Sequence, residues 1–206
     1  MYLRLVAARP ETLGHVANTA QGGTEARALP DQARAALRVV PHPALVIIST
    51  IDNDIRCDGT DPQNIPEFGS YVADALRIIT AASPISKILI VGQLGRPDAV
   101  FTKQLLAQVP SLIPTSPATG ICDFVDQNGK IVQSHLETLT SIIEHYEAEQ
   151  ARVCAAVPQC RTDGGVRAAY KDKIENLGAD HNHLNVRGQA AEAALIWPVV
   201  VATLGL

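Results

Sequence analysis

A chain of 206 residues is long enough for one domain with a proper core, and 47% hydrophobic against 18% charged residues is a globular balance that argues against disorder. The net charge of -4, with no cluster of Lys and Arg, offers no field to gather phosphates, and 4% aromatic residues offer no platform for stacked bases, so nucleic acid is not an expected partner. The longest apolar stretch, residues 193–206, is too short to span a bilayer and is interrupted by Pro198; it reads as a final helix packed on the core, and no transmembrane segment is expected.

Residues 1–10 hold two arginines and no apolar run of signal length, so this chain shows no signal peptide. Residues 15–19 read as the end of a strand. After the Gly22-Gly23 turn, residues 25–39 carry Ala and Leu at helical spacing, with Pro30 near the start. Residues 44–50 (ALVIIST) form an apolar, β-branched run directly after Pro43, the pattern of a strand buried on both faces. Residues 69–82 place Val72, Ala75, Leu76 and Ile79 on one face of an amphipathic helix, and residues 87–92 (KILIVG) give the next buried strand. Strand, helix and strand in this order predict an α/β fold with a parallel sheet.

Prolines at 97, 110, 114 and 117 predict loops and short helices over residues 96–121, and Asn128-Gly129 predicts the turn of a small hairpin over 123–132. Residues 136–157 read as a long helix with Leu139, Ile142, Ile143 and Tyr146 on one face. Asp163-Gly164-Gly165 breaks the chain, residues 166–176 read as helical, and residues 185–204 close the chain as a helix. No internal repeat or second domain interrupts residues 1–206, which read as a single domain.

Four cysteines stand at 57, 122, 154 and 160, none in a C-x-x-C pair of the zinc or thioredoxin kind. Cys154 and Cys160 bracket a short segment with Pro158 and suit a small disulfide loop, which leaves Cys57 and Cys122 to pair across a long one; four reduced thiols are the alternative. Disulfides belong to exported proteins.

Ligands of open parallel sheets bind beyond the carboxyl ends of the strands, so the polar clusters that follow strands are the places for chemistry. In Asp180-His181-Asn182-His183, Asp180 and His183 lie three apart, within reach for the carboxylate to orient the imidazole and stabilise its protonated form. The competing reading is a helix cap with exposed histidines. Asn53, just past a buried strand, could donate its amide to an oxyanion or simply form a turn, and Gly23 could offer an unhindered N–H or simply a positive φ.

Taken in order, these pieces resemble the SGNH (GDSL-type) serine esterases. That family carries a Gly-Asp-Ser motif, a glycine block, a Gly-x-Asn-Asp block and a final Asp-x-x-His. Residues 18–24 followed by Leu29 and Gln32 are similar to the glycine block, with Gly23 at its key position. Asn53-Asp54 is similar to the third block, and residues 180–183 followed by Leu184, Asn185 and Gly188 to the fourth. The resemblance spans residues 14–190 and implies a flavodoxin-like three-layer α/β/α fold and hydrolysis of a small-molecule or lipid ester by a monomer. It implies His183 as general base, Asp180 as its orienter, and Gly23 and Asn53 in the oxyanion hole, with no metal and no cofactor.

Two features depart from the family. Ile51 stands where the third block has glycine, and no Gly-Asp-Ser occurs; the serines at 49, 70, 83, 86, 111, 116, 134 and 141 lie in no strand-to-helix elbow near the start. Ser49 reads as a buried strand residue, and no nucleophile is assigned in this chain. The resemblance therefore implies that the first, central strand of the sheet and its serine lie upstream, with Met1 already in the following helix and an export signal on the longer protein, which would be secreted. The chain alone is expected to be poorly stable and inactive. Two rivals remain: a non-catalytic binding protein of the same fold, and a metal-dependent phosphoesterase using Asp52, Asp54, His181 and His183.

Overall fold

The computed structural model describes residues 1–206. Three parallel strands, β1 (Leu45–Ser49), β2 (Lys87–Val91) and β3 (Cys160–Thr162), pair in that order, with Leu45 opposite Lys87 and Ile88 opposite Cys160. Six α-helices surround them: α1 (Tyr2–Ala8), α2 (Leu29–Val39), α3 (Asp61–Ala82), α4 (Ala99–Gln108), α5 (Gln133–Ala155) and α6 (Val186–Leu204). The chain is thus α/β with a parallel sheet.

Successive side chains of a strand point to opposite faces, and here they divide the core in two. Ile48, Ile88 and Ile90 face the larger cluster, which holds Val72, Ala75, Leu76 and Ile79 of α3 together with Tyr146 and Val153 of α5. Phe68 and Tyr146 meet there edge to face, with ring centroids 5.0 Å apart. Leu89 and Val91 face the other way, onto Ile196 and Val200 of α6. The C-terminal apolar run is therefore a helix laid against the sheet, and no helix is long and apolar enough to cross a membrane.

β2 lies between two neighbours and buries four of its five residues; β1 lies at an edge and buries Ile48 alone, so the reading of residues 44–50 as a strand buried on both faces fails on one side. Along the free edge of β1 runs an apolar groove of about 470 Å³, its far wall formed by residues 15–20 and its floor by Leu29, Ala33 and Leu37 of α2. Residues 15–19 form no strand, contrary to expectation. A strand exists through its ladder partner, and residues 15–19 pair with no strand of the sheet. Its side-chain contacts are local or with α2: Asn18 Oδ1 accepts from Ala20 N, and Thr19 Oγ1 donates to the Gln32 carbonyl. Nor does α1 bury any residue; Leu3 is 79% exposed.

Three further segments differ from expectation. α3 begins at Asp61, eight residues before the expected start, because Pro62 falls in the first turn, where its missing N–H costs nothing, and the helix also accommodates Pro66. Residues 166–176 hold two 3₁₀ turns, Arg167–Ala169 and Ile174–Asn176, in place of a helix. β3 has only three residues with Arg161 in the middle, too short for a periodic signal. The small hairpin is present as a Val125–Ile131 bridge closed through Gly129.

Both disulfides form, Cys57–Cys122 and Cys154–Cys160, and no cysteine is free. The first closes a separation of 65 residues and the second of 6. By loop-closure entropy the longer bond contributes about 4 kcal/mol and the shorter about 2 kcal/mol. Cys57→Ser with Cys122→Ser is therefore expected to lower the melting temperature more than the Cys154/Cys160 double variant. Equal melts for the two, or a wild-type melt unmoved by reductant, would contradict the assignment.

Candidate functional site

The loop that leaves β1 is held in an unusual backbone conformation. Ile51 is fully buried with φ 124 and ψ -53, in the region that favours glycine. A β-branched residue held there costs on the order of 1–3 kcal/mol and persists only where its surroundings over-determine it. This is the position at which the resembled third block has glycine, so the backbone takes the glycine conformation although the side chain differs.

What over-determines it is a buried polar network. Asp54 is 3% exposed, and its carboxylate accepts from Ala26 N and Thr50 Oγ1, each at 2.8 Å. Burial raises its pKa, against the pull of those two donors. The Asp54 carbonyl accepts from Asn64 Nδ2 at 2.8 Å. Tyr146 Oη accepts from the same amide, and its one proton is shared between the Asp54 carbonyl and Asp61. Asp61 in turn accepts from Arg56 N and Cys57 N. Burial pushes the Tyr146 phenol up, so it remains a donor throughout the physiological range. Asp54 thus ties residues 24–26 to the β1 exit, and α5 braces both from beneath.

Asn53, one residue before this anchor, is exposed, and its amide donates to no protein group. Gly23 has φ +75 with open space where a Cβ would stand, and its N–H meets no protein acceptor. Asp52 Oδ1 accepts from Gln93 Nε2, linking the loops after β1 and β2.

The polar cluster at residues 180–183 is a tight loop ahead of α6. Leu177 and Leu184 bridge, Gly178 N donates to the His183 carbonyl at 2.7 Å, and His181 takes φ 53 at the bend. Asp180 Oδ1 accepts from Asn182 N and His183 N, while Oδ2 lies 2.6 Å from His183 Nδ1. The helix cap is Asn185, whose side chain accepts from Gly188 N, so Asp180 is not a cap and is free to hold the imidazole. The Asp180 hydrogen bond raises the His183 pKa, assisted by the charges of Asp180 and then Asp52, while Asp180 lies well below the usual carboxylate range. With Nδ1 carrying a proton toward Asp180, Nε2 is the open base.

Asn53, Asp52, His181 and His183 line one cleft of about 610 Å³ beyond the carboxyl ends of the strands, together with Gln21, Thr24 and Glu25 of the glycine-containing loop. Gly23 itself does not line it. Phe101, Phe124 and Leu139 supply its apolar wall. Its two arginines are occupied: Arg96 pairs with Glu147, and Arg167 with Glu192 at 2.6 Å. The arginine pairs and the Asp54–Tyr146–Asp61 network carried no motif in the sequence; they join residues up to 92 apart.

Two expectations are corrected. Ser49 is exposed at the end of β1, bordering both the groove and the cleft, because the strand is at an edge; no hydrogen bond joins it to His183. The proposed metal set does not assemble. Asp54 is turned into the interior toward Ala26 N, and no group of three or more His, Cys, Asp or Glu side chains gathers to hold an ion. No family model matches the chain, and no curated protein matches it.

His183 is expected to titrate above the ordinary histidine value in NMR, since its charged form is favoured, and Asp180→Asn should bring the midpoint down. An unmoved midpoint would mean that the pair does not exist in solution. Asp54→Ala strands a buried N–H and is expected to cost about 1–3 kcal/mol in chemical denaturation. Wild-type stability for this variant would remove the network from its anchoring role.

Proposed function

We propose that this chain is the larger part of a flavodoxin-like, three-layer α/β/α hydrolase of the SGNH type, acting on carboxylic esters. The observation that carries the reading is His183, oriented by Asp180, lining the same cleft as the unengaged amide of Asn53. The glycine-like backbone of Ile51 supports it. So do the two disulfides, which suit a secreted monomer.

The nucleophile in this reading is a serine carried on a strand outside these 206 residues. That strand lies in the groove beside β1, pairing with its free edge on one side and with residues 15–20 on the other. Its carboxyl end then reaches the place where groove and cleft meet at Ser49. The serine Oγ bonds to the ester carbonyl carbon while its proton passes to His183 Nε2. The Asn53 amide, with the serine's own N–H, holds the oxyanion; Gly23, which does not line the cleft, takes no part in this reading. Collapse expels the alcohol, which takes the proton back from His183, and water repeats the sequence to release the acid. Removal of one oxyanion donor costs about 3 kcal/mol of transition-state stabilisation. As a base His183 must be neutral, so turnover rises with pH through its raised pKa.

The test is to treat the protein from its native source with a biotinylated fluorophosphonate and map the labelled residue by mass spectrometry. A serine outside residues 1–206 is expected, with labelling lowered at least about a thousandfold in His183→Ala. Label on Ser49 or another serine of this chain would overturn the strand-borne nucleophile, and no label at all would overturn the hydrolase in favour of a binding protein.

A further inference from the structure

The cleft contains one carboxylate that the proposed chemistry does not use. Asp172 follows the 3₁₀ turn Arg167–Ala169, is half-buried in the cleft wall, and makes no hydrogen bond or ion pair with any protein group. The cations that could have neutralised it are committed elsewhere, Arg96 to Glu147 and Arg167 to Glu192. Lys171, its chain neighbour, is exposed and forms no ion pair with it. Asp98, which caps α4 by accepting from Val100 N and Phe101 N, adds a second negative charge close enough to be felt.

Gly95, with φ +67, lies beside Asp172: a Cβ there would stand 3.6 Å from Asp172 Oδ2 and 3.4 Å from the Tyr170 carbonyl, which is ordinary contact. The loop after β2 nonetheless gives the carboxylate no donor, because Gly95 N is spent on the Arg167 carbonyl. A half-buried carboxylate without a donor partner is unfavourable in the free protein, so a ligand that brings a donor and a positive charge recovers what desolvation has cost. The two phenylalanines of the wall form no cage of the kind that would select a quaternary ammonium, which leaves a hydrogen-bonding ammonium as the better match.

We propose that Asp172 is a specificity residue that selects esters bearing a primary ammonium group, resting on the reading of the cleft as an ester site. Burial and the charge of Asp98 raise its pKa, and a bound ammonium offsets both effects. Anionic esters meet Asp52, Asp98 and Asp172 in the same cleft with no free arginine to receive them.

The experiment uses the protein as its native source makes it, carrying His183→Ala so that no probe is hydrolysed, and three probes of equal length: 5-aminopentyl acetate, hexyl acetate and 6-acetoxyhexanoate, with affinity read by chemical-shift perturbation. The ammonium ester is expected to bind roughly tenfold more tightly than hexyl acetate, as a charge-assisted hydrogen bond provides. The carboxylate ester is expected to bind most weakly. Adding Asp172→Asn, which breaks no hydrogen bond or ion pair of the protein, should remove the preference for the ammonium ester over hexyl acetate. Equal affinities for the three probes, or a preference that survives in Asp172→Asn, overturns the proposal. Fluorophosphonate labelling without the preference sinks the specificity residue alone; the preference without labelling sinks the hydrolase and leaves an ammonium-binding cleft.

Discussion

The joint at the end of β1 governs the arrangement of the cleft. A carboxylate buried at Asp54 is tolerable only with donors around it, and those donors come from Ala26 and Thr50, which belong to two different loops. The carboxylate therefore sets the distance between the glycine-containing loop and the Asn53 loop. Tyr146, Asn64 and Asp61 fix the other side of the same joint to the two longest helices. Because the network is closed, the chain can hold Ile51 in a conformation that its side chain disfavours. The strain falls where the reading of the cleft needs a backbone geometry accurate to a fraction of an ångström.

The same joint separates two halves of unequal completeness. On the β2 side the sheet is paired, both faces are covered, and four of five strand residues are buried. Beyond the β1 edge the chain has the parts of a sheet without the ladder: an apolar floor from α2, a far wall at residues 15–20, and a helix α1 that buries nothing. An unpaired strand edge beside an apolar groove is a template for another strand, and the groove is open along the whole of β1.

How much of this was legible in the sequence depends on how local each feature is. The KILIV run announced β2 because burial on both faces leaves a continuous apolar stretch, and Val72, Ala75, Leu76 and Ile79 announced α3 by their spacing. Asp180 and His183 were legible because three residues of one loop suffice to bring them together. Pro62 and Pro66 concealed the start of α3, and three residues of β3 were too few to carry a period. The Asp54–Tyr146–Asp61 network was not legible at all, since hydrogen bonds across 85 and 92 residues are made by topology. Ile51 was visible as a departure from the resembled glycine, but only its φ gives the departure a meaning.

Electrostatics links the joint to the cleft. The charged residues that border it are largely spent on one another: Arg96 with Glu147, Arg167 with Glu192, Arg56 with Glu25. These pairs hold the loop after β2 against α5, the turn after β3 against α6 and the loop after β1 against the segment ahead of α2, and in doing so they leave the cleft with surplus carboxylates. A surplus of that sign favours the protonated form of His183, which Asp52 already assists, and so moves the working range of any base there toward higher pH. In a cleft built this way the group that a proton transfer needs neutral is the one that the neighbouring carboxylates hold protonated.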